Sequence, residues 1–169
     1  MAIIHKHKDR AFRVLRSEKT SFPKLWELPP GEDSSFVTPG EFVGRDEFEN
    51  ARRQLTKITA ENYEDQAAHA LMRENTTSND VNESHAVTVR KGHYEMRTQF
   101  YLPNKDYNIG DMLTLRYDPE KEGGVLGPTE ASTKFIVGRV ERPPLSGSTD
   151  MIEVTIFDNP VPTTNVALA

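Results

Sequence analysis

Apolar and polar residues alternate most cleanly in the second half of the chain. The pattern runs through Ala86-Val-Thr-Val-Arg90, Tyr94-Glu-Met-Arg-Thr-Gln-Phe-Tyr-Leu102, Met112-Leu-Thr-Leu-Arg-Tyr117, Lys134-Phe-Ile-Val-Gly-Arg-Val140 and Met151-Ile-Glu-Val-Thr-Ile-Phe157. A period of two places every second side chain on one face of an extended strand, so these stretches predict a half-buried sheet. The turns between them carry the expected breakers, among them Asn108-Ile-Gly-Asp111, Glu122-Gly-Gly124 and Pro143-Pro144. Short strands at this spacing predict a small antiparallel β-barrel over residues 85–158, closed or nearly so, because closure hides sheet edges. The expected fold class is therefore mainly β.

Upstream the pattern changes. No Pro or Gly interrupts Arg45 to Glu74, and Asp46 followed by Glu49 has the spacing of a capping box. Phe48, Ala51, Leu55 and Ile58 recur at helical intervals, and Tyr63, Ala67, Ala70 and Leu71 continue the stripe after a break near Glu61. Residues 45–74 are thus expected to form a short helical segment, followed by a polar loop over 75–84. Residues 1–44 read as a long extended N-terminal arm, since Pro23, Pro29, Pro30 and Pro39 with three glycines in 20–44 forbid a helix. The arm is too apolar for a free linker. Either it folds back on its own domain, or its aromatic side chains fill pockets on a partner; the balance favours the partner. The tail 159–169 holds two prolines and is expected to be extended.

Charge sharpens the picture of the arm. Residues 1–24 hold seven Lys or Arg against Asp9 and Glu18, a net of +5, which leaves −10 on the remainder of a chain whose total is −5. A basic arm on an acidic body suits an acidic protein surface or phosphates. In Arg10-Ala-Phe-Arg-Val-Leu-Arg16 apolar residues interleave with the arginines, which argues against a merely solvated terminus. The candidate partner-binding residues are accordingly Arg10, Phe12, Arg13, Leu15, Arg16, Phe22, Trp26, Phe36 and Phe42. The chain has no membrane-length apolar run. Its charged N-terminus does not match an export signal, so the expected site of action is inside the producing cell or in a particle assembled there. No cysteine is present, which removes disulfides, thiolate metal sites and cysteine nucleophiles.

Candidate chemistry is sparse. No nucleophile elbow, phosphate loop or zinc helix is written in the sequence, so the expectation is a protein that is not an enzyme, with no catalytic, cofactor or metal residues. His5-x-His7 is a weak metal pair flanked by lysines, and Asp65 with His69 is half a site. His85, His93, Asp111 and Asp118 read as turn or capping residues. An oligonucleotide-binding barrel would use Tyr94, Phe100, Tyr101 and Tyr117, but an acidic body opposes nucleic acid.

Asn108-Ile-Gly-Asp-Met-Leu-Thr-Leu-Arg-Tyr117, Gly124-Val-Leu-Gly-Pro-Thr-Glu-Ala131, Phe135-Ile-Val-Gly-Arg-Val-Glu-Arg-Pro-Pro144 and Met151-Ile-Glu-Val-Thr-Ile-Phe157 together resemble the β-barrel of tailed-bacteriophage head decoration, or capsid cement, proteins. The resemblance covers residues 85–158. It implies a structural virion protein on the outer capsid surface, bound to the major capsid protein as a homo-dimer or homo-trimer with arms bridging neighbouring subunits. A phage tail or baseplate barrel would show the same strand pattern. The family carries no catalytic residue, so none is transferred.

Overall fold

The computed structural model describes residues 12–17, 22–45, 54–66, 71–74, 77–145 and 150–165. In chain order its elements are β1 (Phe12–Ser17), β2 (Phe22–Glu27), β3 (Phe42–Arg45), β4 (Leu55–Lys57), α1 (Tyr63–Gln66), β5 (Leu71–Arg73), α2 (Ser78–Ser84), β6 (Ala86–Lys91), β7 (Tyr94–Thr98), β8 (Met112–Asp118), β9 (Gly123–Pro128), β10 (Phe135–Arg142) and β11 (Ile152–Pro162). The described strands join in one antiparallel sheet in the order β1-β7-β11-β10-β8-β9-β3-β5-β6-β2, with β4 attached to β3. The mainly β class is as the alternation predicts.

The barrel is not closed. The strand path has two ends, β1 and β2, and β6 and β7 are not hydrogen-bonded to each other although only Gly92 and His93 separate them. Instead they form one bent stretch. Val87 and Val89 face one core cluster, whereas Tyr94 and Met96 face another, so the buried parity switches at the bend. Gly92 makes that switch with φ at 101°, a conformation that side chains rarely adopt. Residues 12–17 and 22–27 follow this stretch along its whole length, Phe12 opposite Thr98 at one end and Glu27 opposite Ala86 at the other. The result is a bent two-stranded ribbon that carries both ends of the sheet and brings them together by covalent continuity instead of a ladder.

This ribbon corrects the expectation of a separable arm. The described part of residues 1–44 supplies three strands of the sheet, and Trp26, Leu28, Val37, Phe42 and Val43 are buried in the chain's own core. Apolar side chains in a proline-rich stretch found their surface within the same molecule. The tail is likewise taken in: Val161 pairs with Ile136 and Pro162 with Phe135.

The helical expectation for 45–74 is also corrected. Its described residues hold β4, β5 and only the four-residue α1; the capping pair Asp46 and Glu49 lies outside the described residues. The physical reason is burial on two sides. Leu55 and Leu71 enter the smaller cluster, while Ile58 and Met72 enter the larger one. A strand between two cores loses its period of two, and an i, i+3 pair on its opposite faces imitates a helical stripe. A true helix, α2, occupies the stretch expected to be a polar loop. Thr77 caps it by accepting the N–H of Asp80 at 3.1 Å, and Val81 anchors it in the smaller cluster.

The two halves of the sheet meet where Phe42 of β3 pairs with Gly124 of β9. A Cβ on Gly124 would stand 2.3 Å from the Phe42 carbonyl and 2.8 Å from Ile58 Cγ1, so the strands approach only because this residue has none. Gly124→Ala is expected to cost about 1–3 kcal/mol through the forced shift. An unchanged urea midpoint would show that the junction is loose.

Candidate functional site

The two sheet ends differ in what they offer. β2 carries Pro23, which has no N–H for a further strand, and its Glu27 already bridges to Gln54. β1 contains no proline and pairs, among the described strands, with β7 alone. Its Val14 packs on the larger core cluster, so Arg13 and Leu15 point outward, and both are exposed. A bulge between Val14 and Arg16 twists the strand end.

The ladder registers turn Arg13 into part of a row. Arg13 lies opposite Arg97 on β7, Arg97 opposite Glu153 on β11, and Glu153 opposite Arg142 on β10. Arg97 donates to Glu153 Oε1 from Nε at 3.1 Å and from Nη2 at 2.5 Å, and Arg142 Nη1 reaches the same oxygen at 3.5 Å. One carboxylate therefore serves two guanidinium groups, while Arg13 has no acidic partner among the described residues. Like charges directly opposite one another are unfavourable, so positive potential is confined to the Arg13–Arg97 pair, while Glu95 and Glu141 carry negative charge elsewhere on this face. Beside the row, Arg142, Arg97 and Glu153 line a cleft of roughly 260 Å³ whose apolar wall is Pro143, Leu145 and Met151. Leu145 is 68% exposed. Two residues along β11, the Thr155 hydroxyl and Arg139, its partner on β10, both donate to Glu141 and hold its carboxyl below the usual range, Thr155 having the larger effect.

The residues named from sequence are dispersed by the fold. Arg13 and Leu15 stand on the outward face of β1. Arg10 lies outside the described residues, and Phe12, Arg16 and Phe22 are described only as strand positions. Trp26 and Phe42, at 4% and 1% exposure, are core residues with no surface to give a partner, and Phe36 packs half-buried on the smaller cluster. Arg45 lies over the Trp26 ring at 5.8 Å. Arg97, Arg142 and Glu153 escaped sequence reading because register, not sequence proximity, assembles them; their outward positions in alternating strands were the available signal.

A second cluster of charge is enclosed. Glu41 is 1% exposed, accepts the Thr38 N–H at 2.8 Å and lies 3.2 Å from Lys57 Nζ. Lys57 also donates to the Phe36 carbonyl at 2.8 Å, and buried Arg73 donates to the Val37 carbonyl. Burial pushes the Glu41 carboxyl above its usual range, against the pull of Lys57 and Arg73. A Cβ on Gly123 would meet Glu41 Oε1 at 2.3 Å, so the neighbouring backbone seals the carboxylate from one side. This cluster pins the 36–41 segment to β4 and β5.

Asp111 and Asp118 close turns, accepting the N–H groups of Asn108 at 2.7 Å and Glu120 at 2.9 Å. His93 stacks on Phe157, and His85 ends α2 in the left-handed region. Among the described residues no group of three or more His, Asp or Glu is placed to hold a metal ion; His5 and His7 lie outside them. No family model, curated protein or solved structure matches this chain.

Proposed function

We propose that the chain is a structural docking protein that decorates the outer surface of a bacteriophage capsid and bridges major capsid protein subunits, as a homo-dimer or homo-trimer. The observation that carries this reading is the sheet end at β1, an edge strand without proline whose outward side chains include exposed Leu15 and Arg13, continuous with an arginine row and an apolar-walled cleft. A strand edge of that kind binds another polypeptide through its backbone and through alternate side chains. The resemblance noted in the sequence supports it further, because its four stretches are sheet neighbours, β11-β10-β8-β9. A capsid lattice repeats one groove many times, and binding only the expanded form stabilises that form by mass action without a covalent step.

The test is co-sedimentation with expanded phage heads stripped of outer proteins, alongside unexpanded precursor shells. Saturable binding to expanded heads alone is expected. Absence of binding to either shell would remove the decoration reading.

A further inference from the structure

We infer that the cleft between the end of β10 and the start of β11 binds a free α-amino acid with an aliphatic side chain, held as a zwitterion. This goes beyond the docking reading above and does not depend on it.

Both signs of charge line the cleft. Arg97 and Arg142 bring two positive charges to it, and Glu153 and Asp150 bring two negative ones. The four groups are not equally engaged. Glu153 Oε1 accepts from Arg97 through two nitrogens, at 3.1 and 2.5 Å, but from Arg142 only at 3.5 Å. A guanidinium has five N–H donors in a fixed fork, so Arg142, exposed at the cleft, keeps donors for a second carboxylate. The Asp150 carboxylate has no hydrogen bond or ion pair among the described residues. Its backbone is nonetheless fixed, because buried Tyr101 donates its hydroxyl to the Asp150 carbonyl at 2.9 Å. The cleft therefore leaves open one carboxylate and one guanidinium, the counterparts of an ammonium and a carboxylate. Four lining charges that sum to zero match a ligand whose own charges sum to zero.

Size and wall narrow the ligand further. The cleft measures roughly 260 Å³, below the roughly 300–1,000 Å³ of pockets that take drug-sized molecules, so its ligand is small. Pro143, Leu145 and Met151 form the apolar wall, and Leu145 is 68% exposed. An aliphatic side chain laid against that wall removes apolar surface of both partners from water. Consecutive Pro143 and Pro144 fix the backbone beside Arg142, which stiffens the wall before a ligand arrives.

The same features select against other small ligands. A phosphate would meet Asp150 and Glu153, a simple amine would leave the Arg142 donors unused, and a divalent cation would face two guanidinium groups.

The experiment is a chemical-shift titration of the isotope-labelled full chain with L-leucine. Three controls run beside it: L-leucinamide lacks the carboxylate, N-acetyl-L-leucine lacks the ammonium, and glycine lacks the side chain. Leucine is expected to bind roughly tenfold or more tightly than each. Arg142→Gln should lower the affinity for leucine roughly tenfold and leave that for leucinamide unchanged. Asp150→Asn should lower the affinity for leucine by a similar factor and leave that for N-acetyl-leucine unchanged. This crossed pattern separates a lost ligand contact from a lost fold, which would weaken every ligand alike. Absence of saturable shifts up to roughly 10 mM leucine would overturn the inference. So would N-acetyl-leucine or leucinamide binding as tightly as leucine, the mark of a site for a polypeptide terminus, or substitutions that reduce all ligands equally.

Discussion

Phe42→Ala is expected to remove about 3–5 kcal/mol of stability, enough to unfold a large fraction of a marginally stable chain. Phe42 is 1% exposed and packs in the larger core cluster, while its neighbour Val43 faces the smaller one. Its backbone forms the pair with Gly124 that links the two halves of the sheet. Truncation therefore opens a cavity at the seam, where neither half can collapse without losing contact with the other. Urea unfolding followed by circular dichroism reads the loss directly. A midpoint within error of the wild type would mean that the aromatic ring is held outside the core, available for a partner as the sequence alone suggested.

Glu41→Ala is expected to cost a similar amount, about 3–5 kcal/mol, because it strips a buried charge cluster of its carboxylate. Arg73, 2% exposed, would lose its nearby negative charge, and the Thr38 N–H and Lys57 would lose their partner. The carboxyl also leaves a mark on pH dependence. Burial raises its folded-state pKa above 4.5, so the native chain holds this proton more tightly than the unfolded chain. Its contribution to stability is full below the unfolded pKa and is lost as pH rises through the folded one. Stability measured from about pH 4 to about pH 8 should therefore decline in the wild type relative to Glu41→Gln, which cannot titrate. A difference that is flat or grows with pH would show that Lys57 and Arg73, not burial, control the group.

Among the C-terminal strands β7 was the most legible, because it has one wet face. Glu95 and Arg97 stand outward between buried Tyr94, Met96 and Thr98, and the alternation needs no knowledge of the partner strands. The strands of the N-terminal half were hidden for the opposite reason. Leu71 and Met72 are adjacent and both buried, one in each cluster, so no period of two survives. Thr77 with Asp80 was a readable cap for α2, but its Asp stands where a Glu or Gln completes the usual box. At the candidate site, Arg13 and Leu15 could be named from a basic stretch. Their neighbours could not, since Arg97 and Glu153 are 56 positions apart and meet only through the register of β7 on β11.

The bent ribbon has a consequence for the order in which the molecule can fold during synthesis. β1 and β2 emerge first but must wait for residues 86–98 before they have a ladder to join. β7 in turn has β11, Ile152–Pro162, as its other neighbour. Loop closure over such separations is slow, and no early stretch can complete the sheet by itself. The ribbon that unites the two ends of the sheet therefore makes folding a late event, reached only once β11 has followed β1 and β2 out of the ribosome.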